Sequence, residues 1–214
     1  MRLGWTYSLT IYINKVYAFN VMGICEEICN ALTMPFSPLV MYAFLVYNPT
    51  NLRLLLITTA VAAQVPFSIS YHLREATRGL FGQQGDRIDN HWRRVDQTTQ
   101  HLSQLAITFA ISASTLYTLA SVPLHAIGLL QLWQQETTND GHRWRPIAVG
   151  VVVYCAPMLG ASPLHFFEAM LPMIIGALCA FVPGFKFEGG HAVMHAMACV
   201  HATALAHYLT SLSS

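Results

Sequence analysis

Long apolar runs, nearly free of charged residues, alternate with short polar segments along this chain. The runs cover residues 28–52, 54–73, 97–135, 147–185 and 189–214. A transmembrane helix needs about 20 mostly apolar residues to cross about 30 Å of hydrocarbon. The first, second and fifth runs therefore each predict one membrane-spanning helix.

The third and fourth runs are too long for a single crossing. Each has 39 residues, and a straight helix of that length would measure about 58 Å. A proline near the middle of each run, Pro123 and Pro163, disfavours the helical conformation in the residue before it. We therefore expect hairpin turns at 121–123 and 160–163. The resulting seven spans lie near residues 31–48, 54–73, 95–118, 122–135, 147–160, 163–183 and 190–211.

The positions of the basic residues agree with seven spans. This topology leaves Arg53 alone on one side of the membrane and places the other Lys and Arg residues on the opposite side, where cytoplasmic loops collect them. We therefore expect the N-terminus inside and the C-terminus outside. The inner residues are Arg2, Lys15, Arg74, Arg78, Arg87, Arg93, Arg94, Arg143, Arg145 and Lys186.

Composition supports the membrane class. Hydrophobic residues make up 54% of the chain and charged residues only 10%, against about 25% charged in a soluble domain. A net charge of +1 gives no reason to expect nucleic acid as a partner. The prediction is an all-α integral membrane protein with a single seven-span domain, 1–214. Residues 28–214 form its helical bundle, and the aromatic-rich segment 1–27 forms an N-terminal interfacial helix.

Several side chains capable of chemistry lie at span ends. Ionisable groups in membrane segments are costly, so they are candidates for function. The seven-span topology brings three sequence-distant segments to the inner face of the membrane. These segments carry Ser68, His72, Asp96, His191 and His195.

The spacing of the histidines suits a metal. His191 and His195 are four residues apart, so their rings leave the same helix face. His72 would add a third ligand, leaving a tetrahedral zinc with one position for a water whose pKa falls to about 7. Asp96 would orient this water or accept its proton, and Ser68 would bond to the water or to an oxyanion. The alternative is ordinary polar contact, because ten histidines make chance pairs common.

Further polar residues lie within the predicted spans. His101, His125 and His165 are expected to be hydrogen-bonded contacts between helices rather than ligands. His207 is expected to make a polar contact nearer the outer side. Glu168 is the one acid deep in a predicted span, and we expect it to be protonated or paired with a neighbour such as His165.

Four motifs, in order along the chain, carry a resemblance to a known family. The chain resembles the hemolysin III and progestin–adipoQ receptor family, within the seven-span membrane hydrolases that include alkaline ceramidases. This resemblance implies zinc held by His72, His191 and His195, with Ser68 and Asp96 beside the metal-bound water. The motifs are Glu26-Glu27-x-x-Asn30-x-x-Thr33, Ser68-x-x-x-His72, Arg94-Val95-Asp96 and His191-x-x-x-His195.

The chain also departs from the family pattern. Met34 stands where the family usually has histidine, and the third span lacks the usual Gly-Thr-Tyr-x-Pro segment. These departures keep a second interpretation of the function open beside the one that the resemblance implies.

Two main functions follow from these residues. The first is a zinc-dependent membrane hydrolase that cleaves a lipid amide of the ceramide type through metal-activated water, with membrane lipids as its partners. The alternative is a structural or accessory subunit of a larger membrane complex that keeps the hydrolase-like fold, with or without its zinc. Transport or proton conduction is a third, weaker interpretation. The chain is expected in a membrane as a multi-pass protein, with the mitochondrial inner membrane and the endomembranes as candidates.

Overall fold

The described part of the chain is entirely helical. The computed structural model describes residues 23–80, 91–134, 144–185, 187 and 189–212, and these contain helices and turns but no β-strand. In chain order, the helices are α1 (residues 23–33), α2 (Phe36–Tyr47), α3 (Leu52–Leu80), α4 (His91–Ser112), α5 (Thr115–Gln134), α6 (Trp144–Ala161), α7 (Pro163–Phe181) and α8 (Gly190–Ser211).

Four segments are long and apolar enough to cross a membrane. They are Gly23–Tyr47, which joins α1 and α2 across a short turn, Leu52–Arg78, Thr115–Gln134 and Pro163–Phe181. The apolar segment Arg145–Ala161 of α6 is shorter. The predicted all-α class is confirmed, and the long apolar helices are consistent with a multi-pass membrane protein.

One of the two predicted hairpin turns is in the wrong place. The third apolar run breaks at Ala113, whose φ of 50° ends α4, and not at residues 121–123. Pro123 lies inside α5 instead, because neighbouring groups in membrane helices compensate for the hydrogen bond that a proline removes. The other turn is confirmed, since α7 begins at Pro163, where proline suits the first helical turn.

The polar segment at 74–94 is helical in the parts that the structure describes. It continues α3 as far as Leu80 and contributes the start of α4 at His91, while residues 81–90 lie outside the described part of the chain. The predicted interfacial segment 1–27 also lies outside it, except for residues 23–27, which belong to α1.

The bundle has an apolar half and a polar half. The apolar core lies around the C-terminal part of α8 and the N-terminal parts of α3 and α7, and its members include Met41, Leu54, Ile57, Ile111, Cys155, Met158, Ala169, Leu205 and Leu209. The polar half lies at the opposite end of α8. It includes the N-terminal part of α4, where Asp96 and His101 are buried. Helix α4 is not among the four long apolar segments because it carries many polar side chains, and several of these, such as Gln104 and Thr108, are buried in the bundle.

Small residues bring α7 and α8 close together. A Cβ atom at Gly176 of α7 would stand 3.0 Å from Cα of Met194, and one at Gly190 would collide with the carbonyl oxygen of Cys179. Glycine at such contacts lets membrane helices approach closely and gain dispersion energy. The close approach fixes the start of α8, which carries His191 and His195, against the end of α7.

Candidate metal centre

Three histidines meet at one end of the bundle. One ring nitrogen from each of His72, His191 and His195 lies within 4.8 Å of those of the other two. The ring centroid of His72 is 5.5 Å from the ring centroid of His191 and 5.2 Å from that of His195. The ring centroids of His191 and His195 are 4.8 Å apart. The structure therefore brings the three predicted ligands together from α3 and α8.

The start of α8 is held in place by local structure and by α1. Gly189 precedes the helix with a φ of 86°, a conformation that costs glycine little and other residues much more. The backbone N–H of His191 then donates a hydrogen bond to Oε1 of Glu26, at 3.3 Å. A carboxylate at a helix N-terminus satisfies an unpaired donor and complements the helix dipole.

Glu27 supports the cluster in a way that the sequence prediction did not assign. Its Oε2 lies 2.6 Å from Nδ1 of His72, so this nitrogen donates to the carboxylate and leaves Nε2 for a metal. A carboxylate behind a histidine ligand fixes its tautomer and raises its basicity. One feature of the sequence could have indicated this role. Two acidic residues stand at the start of an apolar run, where ionisable side chains are costly and therefore mark candidate functional positions.

Asp96 and Ser68 lie beside the histidines. Asp96 is 4% exposed, and its Oδ2 accepts a hydrogen bond of 3.0 Å from Nε2 of Gln100. Ser68 is fully buried, and its side chain interacts with the Asp96 carboxylate. All five predicted site residues thus converge on one place, and their catalytic roles stay a prediction.

Buried polar atoms that lack a hydrogen-bond partner show whether a metal ion and a bound water would fit among these residues. Nε2 of His195 and Oδ1 of Asp96 are buried with no hydrogen-bond partner among the residues that the structure describes. Each such atom costs about 1–3 kcal/mol if it stays unsatisfied. A zinc-type ion would engage the imidazole nitrogen, and an accompanying water would engage the carboxylate oxygen. The donor set therefore fits a divalent ion of this kind.

A cavity of about 240 Å³ begins at the cluster. Its polar end includes the three histidines, Asp96 and Gln100, together with Arg93 and Gln97. Apolar side chains of α6 and α7 form the rest of its wall, among them Ile147, Val151, Val152, Met170, Met173, Ile174 and Phe181.

The cavity reaches the outer surface of the bundle. Val152 of α6 and Ile174 of α7 both line it, and each is about half exposed, at 47% and 48%. The cavity therefore opens between α6 and α7, on a surface where large apolar side chains such as Phe167 and Leu171 also face outward. An apolar chain could enter from the side and reach the polar end.

Comparison with protein-family models, with curated proteins and with solved structures found no match to this chain. The assignment of the site rests on the geometry of the residues described above.

Proposed function

We propose that the chain is a zinc-dependent membrane hydrolase that cleaves a lipid amide of the ceramide type, as a divergent member of the hemolysin III-like group. The observation that carries this proposal is the cavity, whose polar end holds three imidazoles and a carboxylate while its other walls are apolar. Such an arrangement suits a substrate with one polar scissile group and a long apolar chain.

The residues at the polar end of the cavity have separate roles in the proposed reaction. His72, His191 and His195 would hold a zinc ion, which would supply Lewis-acid polarisation of a carbonyl group and a water that is nucleophilic at neutral pH. Oδ1 of Asp96 has no hydrogen-bond partner among the described residues, so it is available to accept the proton of the attacking water and to pass it to the amide nitrogen as the C–N bond breaks. Gln100 holds the other carboxylate oxygen in place. The hydroxyl of Ser68 donates to the oxyanion, which develops on the carbonyl oxygen.

The size of the cavity constrains how the lipid binds. Pockets that enclose a drug-sized ligand measure about 300–1,000 Å³, so a cavity of about 240 Å³ is too small for a whole lipid. It suffices for the scissile amide and the adjoining part of one chain. The remainder of that chain would pass between α6 and α7 into the surrounding lipid.

We further infer seven spans with the N-terminus inside, α1 and α2 together forming the first. Helices α4 and α8 have 22 residues each and α6 has 18, which gives lengths of about 27–33 Å, enough for the hydrocarbon core. Two residues join α4 to α5 and one joins α6 to α7, so these neighbours form tight hairpins. In this topology the metal centre lies at the inner face.

The topology predicts that residue 85 and the C-terminal Ser214 lie on opposite sides of the membrane. Single cysteines introduced at Gly85 and Ser214, in a background without native cysteines, should react with an impermeant thiol reagent from opposite sides of oriented vesicles. Cys25 and Cys29 are exposed and must be removed first. Labelling of both sites from the same side would contradict the seven-span topology.

The hydrolase function predicts fatty-acid release from a panel of ceramides by the purified wild-type protein in lipid discs. Activity should disappear after chelation and return when zinc is added. Purification from the native membrane should show in addition whether the protein runs alone or within a stoichiometric complex. A folded, zinc-loaded protein that is inactive on every lipid amide and ester, and that purifies in such a complex, would favour the accessory-subunit alternative.

A further inference from the structure

A second group of metal-ligating side chains lies at the other end of α7 and α8. His165 and Glu168 of α7 and His207 of α8 each offer one ligand atom, and all three atoms lie within 4.8 Å of one another. His207 follows His195 by twelve residues on the same helix, so the two clusters are about 18 Å apart along its axis. The second cluster therefore shares no ligand with the three-histidine centre.

Helix geometry accounts for the convergence. His165 and Glu168 are three residues apart near the start of α7, so they share a helix face. α8 ends at the level where α7 begins, and this brings the ring of His207 to 5.1 Å from that of His165. The adjacent Tyr208 is buried and lies 5.6 Å from the same ring, which holds His165 against α8.

One of the ligands is already oriented. Nδ1 of His165 lies 2.7 Å from the hydroxyl of Ser162, just before the start of α7. This hydrogen bond leaves Nε2 as the coordinating atom, and a hydrogen bond to the other ring nitrogen is the usual support of a histidine ligand. Glu27 supports His72 in the same manner at the first centre.

The distance between Glu168 and His207 suits a shared ion better than a direct bond. Oε2 of Glu168 is 4.0 Å from Nδ1 of His207, which is too long for a hydrogen bond. Two ligands on a tetrahedral zinc stand about 3.3 Å apart, given bonds of about 2.0–2.1 Å. The two side chains are 42% and 60% exposed, so small rotations can close this difference.

Glu168 places a carboxyl group in apolar surroundings. The carboxylate lies more than one turn inside an apolar helix that is long enough to span a membrane. A negative charge in such surroundings is expensive without a partner, and a divalent cation shared with two neutral imidazoles supplies one. Two histidines and one carboxylate are a known ligand set for zinc, with one position left open.

We propose that His165, Glu168 and His207 form a second site for a divalent transition metal of the zinc type, which joins the start of α7 to the end of α8. The sequence alone did not indicate this site, because it placed His207 in an ordinary polar contact. The proposal does not depend on the hydrolase function.

The test counts zinc in the full-length protein, produced with a tag that contains no histidine, stripped with a chelator and titrated with zinc. Wild type should bind about two zinc ions per chain, one at each cluster. Glu168→Gln and His207→Ala should each bind about one, and Thr203→Ala, an exposed change on α8, should match wild type. Added zinc should also raise the melting temperature of His195→Ala, but not that of the double variant His195→Ala/His207→Ala.

The outcomes separate the two sites. Loss of one zinc, relative to wild type, in both Glu168→Gln and His207→Ala supports the proposal, whether or not the three-histidine centre binds zinc. Glu168→Gln preserves the shape of the side chain, so a folding defect in His207→Ala would not obscure the result. Wild-type stoichiometry and affinity in both variants would overturn the second site and leave only a polar contact between Glu168 and His207.

Discussion

Asp96→Asn is expected to abolish hydrolysis while the protein keeps its fold and its zinc. The asparagine oxygen can still accept the hydrogen bond from Gln100 that Oδ2 of Asp96 now accepts. The amide nitrogen would replace Oδ1, and it cannot accept a proton. Loss of a general base typically lowers the rate by about 10²–10⁴-fold. The measurement is fatty-acid release from ceramides by wild type and variant at equal zinc content.

A control substitution distinguishes the specific loss of Asp96 from the general effect of replacing an acidic side chain by an amide. Glu75→Gln makes the same acid-to-amide substitution one turn beyond His72, outside the lining of the cavity, and it should retain the wild-type rate. If zinc serves only to hold helices together, the main effect of Asp96→Asn should be on stability or assembly, and the variant and wild type should not differ in hydrolysis. An active Asp96→Asn protein would remove Asp96 from the mechanism.

His195→Ala is expected to lose the zinc of the three-histidine centre. Its Nε2 is a buried nitrogen without a partner in the described part of the chain, and removing one of three protein ligands leaves too few to hold the ion. Elemental analysis of wild type and variant, prepared without chelator, should differ by about one zinc per chain. A variant with undiminished zinc would contradict the assignment of His195.

His201→Ala is the control on the same helix. His201 is buried; its Nδ1–H donates to the carbonyl of Ala169, and its Nε2 accepts from the hydroxyl of Tyr154. Removing the ring leaves both partners unsatisfied, at a cost of about 1–3 kcal/mol each. We expect lower stability but unchanged zinc, so the pair of variants separates ligation from general destabilisation.

Glu27→Gln is expected to weaken zinc binding at the three-histidine centre without abolishing it. It preserves the shape of the side chain beside His72 but removes the charge that orients and polarises the ring. Loss of such a supporting partner typically weakens metal affinity by about 10–100-fold. The variant should therefore bind zinc at saturating concentrations and release it to a chelator more readily than wild type.

The turns show where local patterns succeed and where they fail. Ser162 and Pro163 mark a real break because proline is placed at the first turn of α7, where its missing N–H costs nothing. Pro123 is also a proline in the middle of an apolar run, but it lies inside α5. The break between α4 and α5 falls at Ala113 instead, ten residues earlier. A proline alone does not decide between these outcomes, because packing against neighbouring helices determines whether a membrane helix tolerates it.

The sequence by itself determined the all-α class with its long apolar helices, and it predicted the convergence of His72, Asp96 and His191 at one end of the bundle. Both predictions came from the lengths of the apolar runs and from their order along the chain, which can be read without knowing how the helices pack. Tertiary structure alone decided that Glu27 lies behind His72, that the cavity opens between α6 and α7, and that Glu168 meets His207. These contacts depend on how each helix is rotated about its axis. Hydropathy gives little information about rotation, because lipid is as apolar as the side chains that face it.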